Sequence, residues 1–177
     1  MSAVKLLISE DDIARRITEM AQEIAANTQG EITVIGILRG SFVFVADLVR
    51  ALDKAGLSSR VELLRLSSYG NSQNSEGDVV LIGEAPKIDG MQTVLLIDDI
   101  VDTGNSILYA RKLLQECGAG TIKTCALLDK PHRREVEVDI DYIGFTVPNE
   151  FVVGYGIDYA EEYRSLPYIG IVERAES

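Results

Sequence analysis

The chain reads as an α/β protein built on a mainly parallel sheet flanked by helices, and three observations predict this. Residues 94–97 (Val-Leu-Leu-Ile) and residues 32–38 are almost wholly apolar runs, the pattern of strands buried on both faces. Each run passes through a short polar turn into an apolar stripe at helical spacing, and strand and helix then alternate along the chain, which argues right-handed crossovers. At 177 residues the sequence is long enough for one domain, 1–177, with a full core. The segments outside the sheet, the first helix and the stretch after about residue 145, are expected to form a small second lobe.

The elements follow in order. Ser9 with Asp12 three residues on is a capping-box variant, and Ile13, Ile17, Met20 and Ile24 behind it make one apolar stripe. Gly30 ends that helix unit. The strand at 32–38 stops at Arg39-Gly40-Ser41, and the helix after it carries Phe42, Val45, Val49 and Leu52 on one side and closes near Gly56. A third strand, 61–66, ends in Ser67-Ser68-Tyr69-Gly70. Residues 71–78 contain no apolar side chain, so a mobile loop of lid length is predicted there. Residues 79–82 and a strand from Met91 flank a turn marked by Pro86 and Asp89-Gly90. After the central strand, Ile107, Ala110, Leu114 and Cys117 recur at helical spacing, with Gly118 where a C-terminal cap belongs. Strands are predicted at 121–128, 140–145 and 168–172. Between the last two, residues 151–159 are dense in aromatic residues and glycine.

Composition excludes several roles. A net charge of −11 argues against nucleic acid or an anionic membrane as a bulk partner, since both need a basic surface. The two cysteines, Cys117 and Cys125, have neither disulfide-framework numbers nor Cys-x-x-Cys spacing, and read as core thiols in a reducing compartment. No apolar run approaches membrane length and no basic-then-apolar leader is seen, so a cytoplasmic location is expected.

The chemistry concentrates after the run at 94–97. The strand ends in Asp98-Asp99, a third acid follows at Asp102, and Thr103-Gly104-Asn105-Ser106 opens the next helix. Ligands of open α/β sheets bind at the carboxyl ends of strands, and small residues at a helix start let backbone N–H groups converge on an anion. Acids followed by an anion cradle suit a molecule with hydroxyls or a metal at one end and a phosphate at the other. Ordinary capping is the plain alternative. There is no Gly-x-Gly-x-x-Gly and no Gly-Lys-Ser/Thr. His132, the only histidine, sits in a charged run and reads as surface.

Residues 98–106, Asp-Asp-Ile-Val-Asp-Thr-Gly-Asn-Ser, resemble the phosphoribosyl-pyrophosphate (PRPP) signature of type I phosphoribosyltransferases. The order of further pieces resembles the bacterial hypoxanthine phosphoribosyltransferases over nearly the whole chain: residues 36–41 with Arg39-Gly40, Ser67 to Gly70, Asp129-Lys130-Pro131, and Phe151 to Tyr159 with Arg164. The resemblance implies a parallel sheet with a small hood subdomain, built here from the N-terminal segment and the residues after about 145. It implies transfer of the phosphoribosyl group of PRPP to N9 of a 6-oxopurine, with Mg2+.

On that resemblance Asp98 and Asp99 hold the ribose hydroxyls, directly or through metal. As adjacent strand-end residues they face opposite ways and are not expected to share one job equally. Asp102 is the general base, or an electrostatic partner, for the purine nitrogen, and Thr103, Gly104, Asn105 and Ser106 take the 5′-phosphate. Arg39, where the family more often has lysine, lies with Gly40 and Arg164 by the pyrophosphate, and Ser68 and Tyr69 ride on the closing loop. Ile100, Lys130, Phe151, Val152 and Asp158 surround the purine: Lys130 donates to O6, Phe151 stacks, and the Val152 backbone reads the ring edge. Asp158 holds a second metal or faces C2. The resemblance implies a homodimer or homotetramer. Rival readings are a phosphoribosyltransferase of another base class and a nucleotide-sensing regulator on the same fold. Asp102 and the acidic charge favour the enzyme.

Overall fold

The structure is a computed structural model and describes residues 4–68, 79–90 and 92–173. The predicted loop at 71–78 and Tyr69 lie outside those residues, as does the side chain of Ser68. The main sheet has the strand order β4-β3-β2-β5-β6-β7, in which β2 is Ile32–Leu38, β3 Ser59–Ser68, β4 Val79–Ile82, β5 Thr93–Val101, β6 Thr121–Asp129 and β7 Tyr142–Thr146. All neighbours are parallel except β3 with β4. In β5, Val94, Leu95, Leu96 and Ile97 are at most 2% exposed, as a strand covered on both faces must be.

Helices α1 (Glu10–Ala26) and α2 (Phe42–Lys54) cover one face, and α3 (Asn105–Glu116) covers the other. The capping box at the start of α1 is formed, the Asp12 amide donating to Ser9 Oγ at 3.1 Å. The predicted stripe Ile13, Ile17, Met20 and Ile24 is wholly buried. It packs into the main core beside β2, β5 and β6, and Arg16 ties the helix to β7 by donating to the carbonyls of Ile143 (2.8 Å) and Gly144 (3.1 Å). The first helix therefore belongs to the flank of the main sheet and not to the small lobe. A strand unforeseen in the sequence, β1 (Val4–Ile8), goes there instead, in an antiparallel sheet of order β1-β9-β8 with β8 Val152–Val153 and β9 Ile169–Val172.

The face of α2 also differs from expectation. Phe44, Val45, Leu48 and Leu52 are buried, while Phe42 is 48% exposed. The helix begins Phe-Val-Phe-Val-Ala, apolar all round, so periodicity alone does not choose its inner side.

Topology points to one place. From β2 the chain crosses through α2 to β3 on one side, while β5 lies on the other side of β2. The β2/β5 boundary is the switch point of the sheet, and the carboxyl ends there carry Arg39-Gly40 and Asp98-Asp99.

Candidate active site

A cleft of about 200 Å³ opens at this switch point, lined by Leu38, Arg39, Asp98, Asp99, Ile100 and Ser106 together with Ile37, Leu66 and Val79. The two acids do not part as strand alternation suggested: both line the cleft, Asp98 buried and Asp99 half-buried, and the Asp99 amide donates to Asp98 Oδ1 at 3.0 Å. Burial, then the charge of Asp99, pushes the Asp98 carboxyl well above the usual carboxylate range. Burial raises Asp99 as well, and its hydrogen bond with Asp98, then backbone amides and the Arg164 charge, oppose that rise. Gly40 is a glycine for a local reason. A Cβ there would stand 1.8 Å from Asp99 Oδ2, so no side chain fits between the turn and the carboxylate. The Leu38–Arg39 peptide preceding it is cis.

Beyond β5 the chain forms the predicted turn. Thr103 N donates to Asp102 Oδ1 at 2.5 Å, and Gly104 takes the left-handed φ of +89° that lets α3 begin at Asn105. Gly104 offers no cap and the first turn holds no acid; the Asn105 amide donates to Thr103 Oγ1 at 3.4 Å, and the amides that follow it at the positive end of the α3 dipole are left to an anion. The Asn105 side chain turns away from them and donates to Glu135 at 2.9 Å.

A second segment buttresses this turn. The amides of Glu135 and Val136 donate to the Thr103 carbonyl at 3.0 and 3.2 Å. Arg134 donates to the Asp102 carbonyl at 3.1 Å and pairs with Asp129. Arg134 was unremarkable in a charged run of sequence, yet its side chain is 19% exposed and joins the end of β6 to the turn after β5. Between them lies Lys130, whose amide donates to the Val101 carbonyl at 2.9 Å. Its ammonium is buried and donates to the Glu150 carbonyl at 2.7 Å. Burial lowers the Lys130 pKa and the charge of Asp102 opposes the fall.

The opposite wall comes from the loop between β8 and β9. Gly156 presses on the β2–α2 turn so closely that a Cβ there would stand 2.2 Å from the Gly40 carbonyl. Arg164 donates to the Gly156 carbonyl at 2.8 Å and pairs with Asp158 at 2.8 Å. Asp158 therefore already neutralises an arginine. Arg39 pairs at 2.6 Å with Glu161, which the sequence did not single out.

Arg39, Gly40, Asp98, Asp99, Ile100 and Ser106 thus converge on one cleft. Asp102 with Thr103, Gly104 and Asn105 forms the adjoining turn, and Lys130 sits beside it. Phe151 lies farther out. It lines a separate hollow along the small sheet with Lys5, Asn149 and Glu150, and its ring meets Tyr159 edge-on at 6.0 Å. Val152 is buried in β8, in register with Ile171. Ser68 ends β3 opposite Val79. Among the described residues no three His, Cys, Asp or Glu side chains cluster as a metal cage, and no helix is long and apolar enough to cross a membrane.

The phosphoribosyl transferase domain family matches residues 8–160, and the chain belongs to that family. It is 42% identical over 170 residues to the bifunctional protein TilS/HprT of Listeria monocytogenes, covering 96% of this chain but only 26% of that protein, so the chain spans about a quarter of that relative's length. It is 41% identical over 172 residues to the hypoxanthine phosphoribosyltransferase of Escherichia coli, covering 96% of this chain and 95% of that one. The crystal structure of a hypoxanthine-guanine phosphoribosyltransferase from Bacillus anthracis superposes with a TM-score of 0.88 at 39% identity, over 97% of this chain and 100% of that one. The fold is that of the type I phosphoribosyltransferases.

Proposed function

We propose that the chain transfers the 5-phosphoribosyl group of PRPP to N9 of hypoxanthine, and of guanine, releasing pyrophosphate, as a cytoplasmic enzyme of purine salvage. The observation that carries this is the sequence of groups from the buried Asp98 and half-buried Asp99 through the start of α3 to the buried Lys130. It offers, in order, partners for ribose hydroxyls, for a phosphate and for an acceptor oxygen on the base. The identity to the Escherichia coli enzyme supports the same base class.

The roles follow from chemistry. Breaking the C1′–pyrophosphate bond builds positive charge on the ribose ring and negative charge on the leaving group. Asp98, Asp99 and Asp102 favour the first charge, and Arg39 and Arg164, with the Gly40 backbone, favour the second. Thr103, Gly104, Asn105 and Ser106 hold the 5′-phosphate with backbone N–H groups. Asp102 takes the proton of the attacking purine. Lys130 is donor only, so it matches the 6-oxo group of hypoxanthine and mismatches the amino group of adenine. Ile100, Phe151 and the Val152 backbone bound the ring, and Asp158 stands towards its C2 side.

The buried Asp98 carboxyl, raised by burial and by the charge of the half-buried Asp99 beside it, is a fit for a divalent cation, which relieves that repulsion. Mg2+ suits two carboxylates better than an all-protein cage would, because it keeps waters and substrate phosphate oxygens as its other ligands. Asp98 and Asp99 would hold it, with Asp158 available once it leaves Arg164. When bound it supplies charge neutralisation at the ribose and pyrophosphate oxygens.

Assembly as a homodimer or homotetramer is part of the proposal. Its support is an uncovered sheet face on β3, where Val61 and Leu63 are 46% and 51% exposed on one side of the strand. Nucleic acid and membrane are not partners of so acidic a chain.

The test is pyrophosphate release from PRPP with each nucleobase in turn. Hypoxanthine and guanine should be used and xanthine poorly, and adenine should be rejected by roughly 10⁴–10⁵. Adenine turned over within tenfold of hypoxanthine would overturn the role of Lys130 and the base class.

A further inference from the structure

Two guanidinium groups come from different elements, Arg39 into the cleft from the turn after β2 and Arg164 towards Asp99 from the loop before β9. A single carboxylate lies between them. Glu161 places Oε1 at 2.6 Å from Arg39 Nη2 and Oε2 at 3.5 Å from Arg164 Nη2. Its backbone takes a left-handed φ of +65°, uncommon for glutamate, and its N–H donates to Asp158 Oδ2 at 2.9 Å. Asp158 in turn holds Arg164 through its other oxygen. The neighbouring Glu162 pairs with neither arginine among the described residues, so the bridge is a property of position 161 and not of a generally acidic loop. Nothing in the core needs this carboxylate, since its side chain is 62% exposed.

We propose that Glu161 is an internal counter-ion that stands where the leaving group binds and sets the affinity of the site for pyrophosphate. This rests on reading Arg39 and Arg164 as the pyrophosphate ligands. Glu161 puts one oxygen on each arginine, the same two positive groups that a pyrophosphate oxygen pair would use. Pyrophosphate, free or as the tail of PRPP, gains both arginines only by replacing Glu161 or by binding against its charge. In either case the carboxylate weakens the bound anion. It therefore limits retention of the product, and it neutralises Arg39 and adds to the hold that Asp158 already has on Arg164.

Isothermal titration of inorganic pyrophosphate with excess magnesium, into wild type, Glu161→Gln and Glu162→Gln, tests this. Exposed ion pairs are individually weak, so loss of two of them should tighten pyrophosphate by about three- to tenfold in Glu161→Gln. Glu162→Gln, with the same change of net charge, should stay within about twofold. In an Arg39→Met background the gain from Glu161→Gln should shrink, because one of its two partners has gone. KM for hypoxanthine should not move. Unchanged or weaker pyrophosphate binding in Glu161→Gln, relative to Glu162→Gln, would overturn the proposal while leaving the arginine site intact. If Arg39→Met alone binds pyrophosphate as wild type does, the arginine reading fails and the proposal fails with it.

Discussion

Helices α1 and α3 begin in opposite ways. At the start of α1, Ser9 accepts the Asp12 amide, and Glu10, Asp11 and Asp12 fill the first turn with negative charge. That end of the helix satisfies its own amides and its own dipole. At the start of α3 the capping position is Gly104, which has no side chain to offer, and the first turn has no acid. The Asn105 side chain is held by Glu135, and Thr103 Oγ1 takes only the first amide, that of Asn105, at 3.4 Å. The acids near α3 lie before it, Asp98 and Asp99 lining the cleft from β5 and Asp102 on the turn that follows. One helix start is closed by the chain itself. The other is buttressed from behind by Arg134, Glu135 and Val136 and left open in front, which is the arrangement of a binding site and not of a stable terminus.

The contrast can be broken most strongly at Asp102. Asp102→Asn should lower turnover by about 10²–10⁴, the usual contribution of a general base, while PRPP still binds. Steady-state rates beside a PRPP titration check this, and near-normal turnover would remove the role. Closing the open start should act on binding instead. Gly104→Asp puts a negative charge where the 5′-phosphate is held and should raise KM for PRPP on the order of 10²-fold, since juxtaposed like charges cost several kcal/mol. Gly104→Ala separates the steric part. Its Cβ would meet Val136 and Val138 side chains at 3.1 Å, at a backbone φ that disfavours alanine, so it should lower stability more than it raises KM.

The paired acids give a pH-dependent test. The Asp98 pKa is raised in the folded state, so the folded protein holds that proton more tightly than the unfolded chain does. Stability is then greatest below the ordinary carboxylate pKa of about 3.9 and is lost as pH rises from there through the raised value. Asp98→Asn removes this loss. The melting temperature of the variant should exceed that of wild type by a margin that widens from pH 4.5 to pH 8, even as activity falls. A constant margin would contradict the raised pKa. The smallest effect belongs to the closed helix start. Ser9→Ala should cost about 1 kcal/mol, or roughly 2–4 °C in Tm for a chain of this size, and leave KM for PRPP unchanged.

How much of this was legible beforehand depends on how far each feature reaches along the chain. The apolar run of β5, the turn into α3 and the capping box at Ser9 are local patterns that the structure keeps, but β5 runs on through Val101, so Asp98 and Asp99 lie in the strand and not in a loop after it. Strand β1 was missed because its partner is β9, with Val4 opposite Val172, and no local pattern announces so distant a pairing. The inner face of α2 was misread because Phe42 and Phe44 are equally apolar, and only the neighbouring sheet selects between them. Asp98 and Asp99 were expected to face opposite ways, yet both line the one cleft. Arg134 and Glu161 left no mark in the sequence because their meaning lies in their partners, Asp129 and the Asp102 carbonyl for one and Arg39 for the other.

The open start of α3 can be tested without catalysis, by following backbone amide chemical shifts during titration with ribose 5-phosphate. The account predicts that the largest shifts fall on the amides of Thr103 to Ile107, while those of Glu10 to Ile13 at the closed start of α1 do not move. Shifts concentrated elsewhere, or equal at the two helix starts, would contradict it.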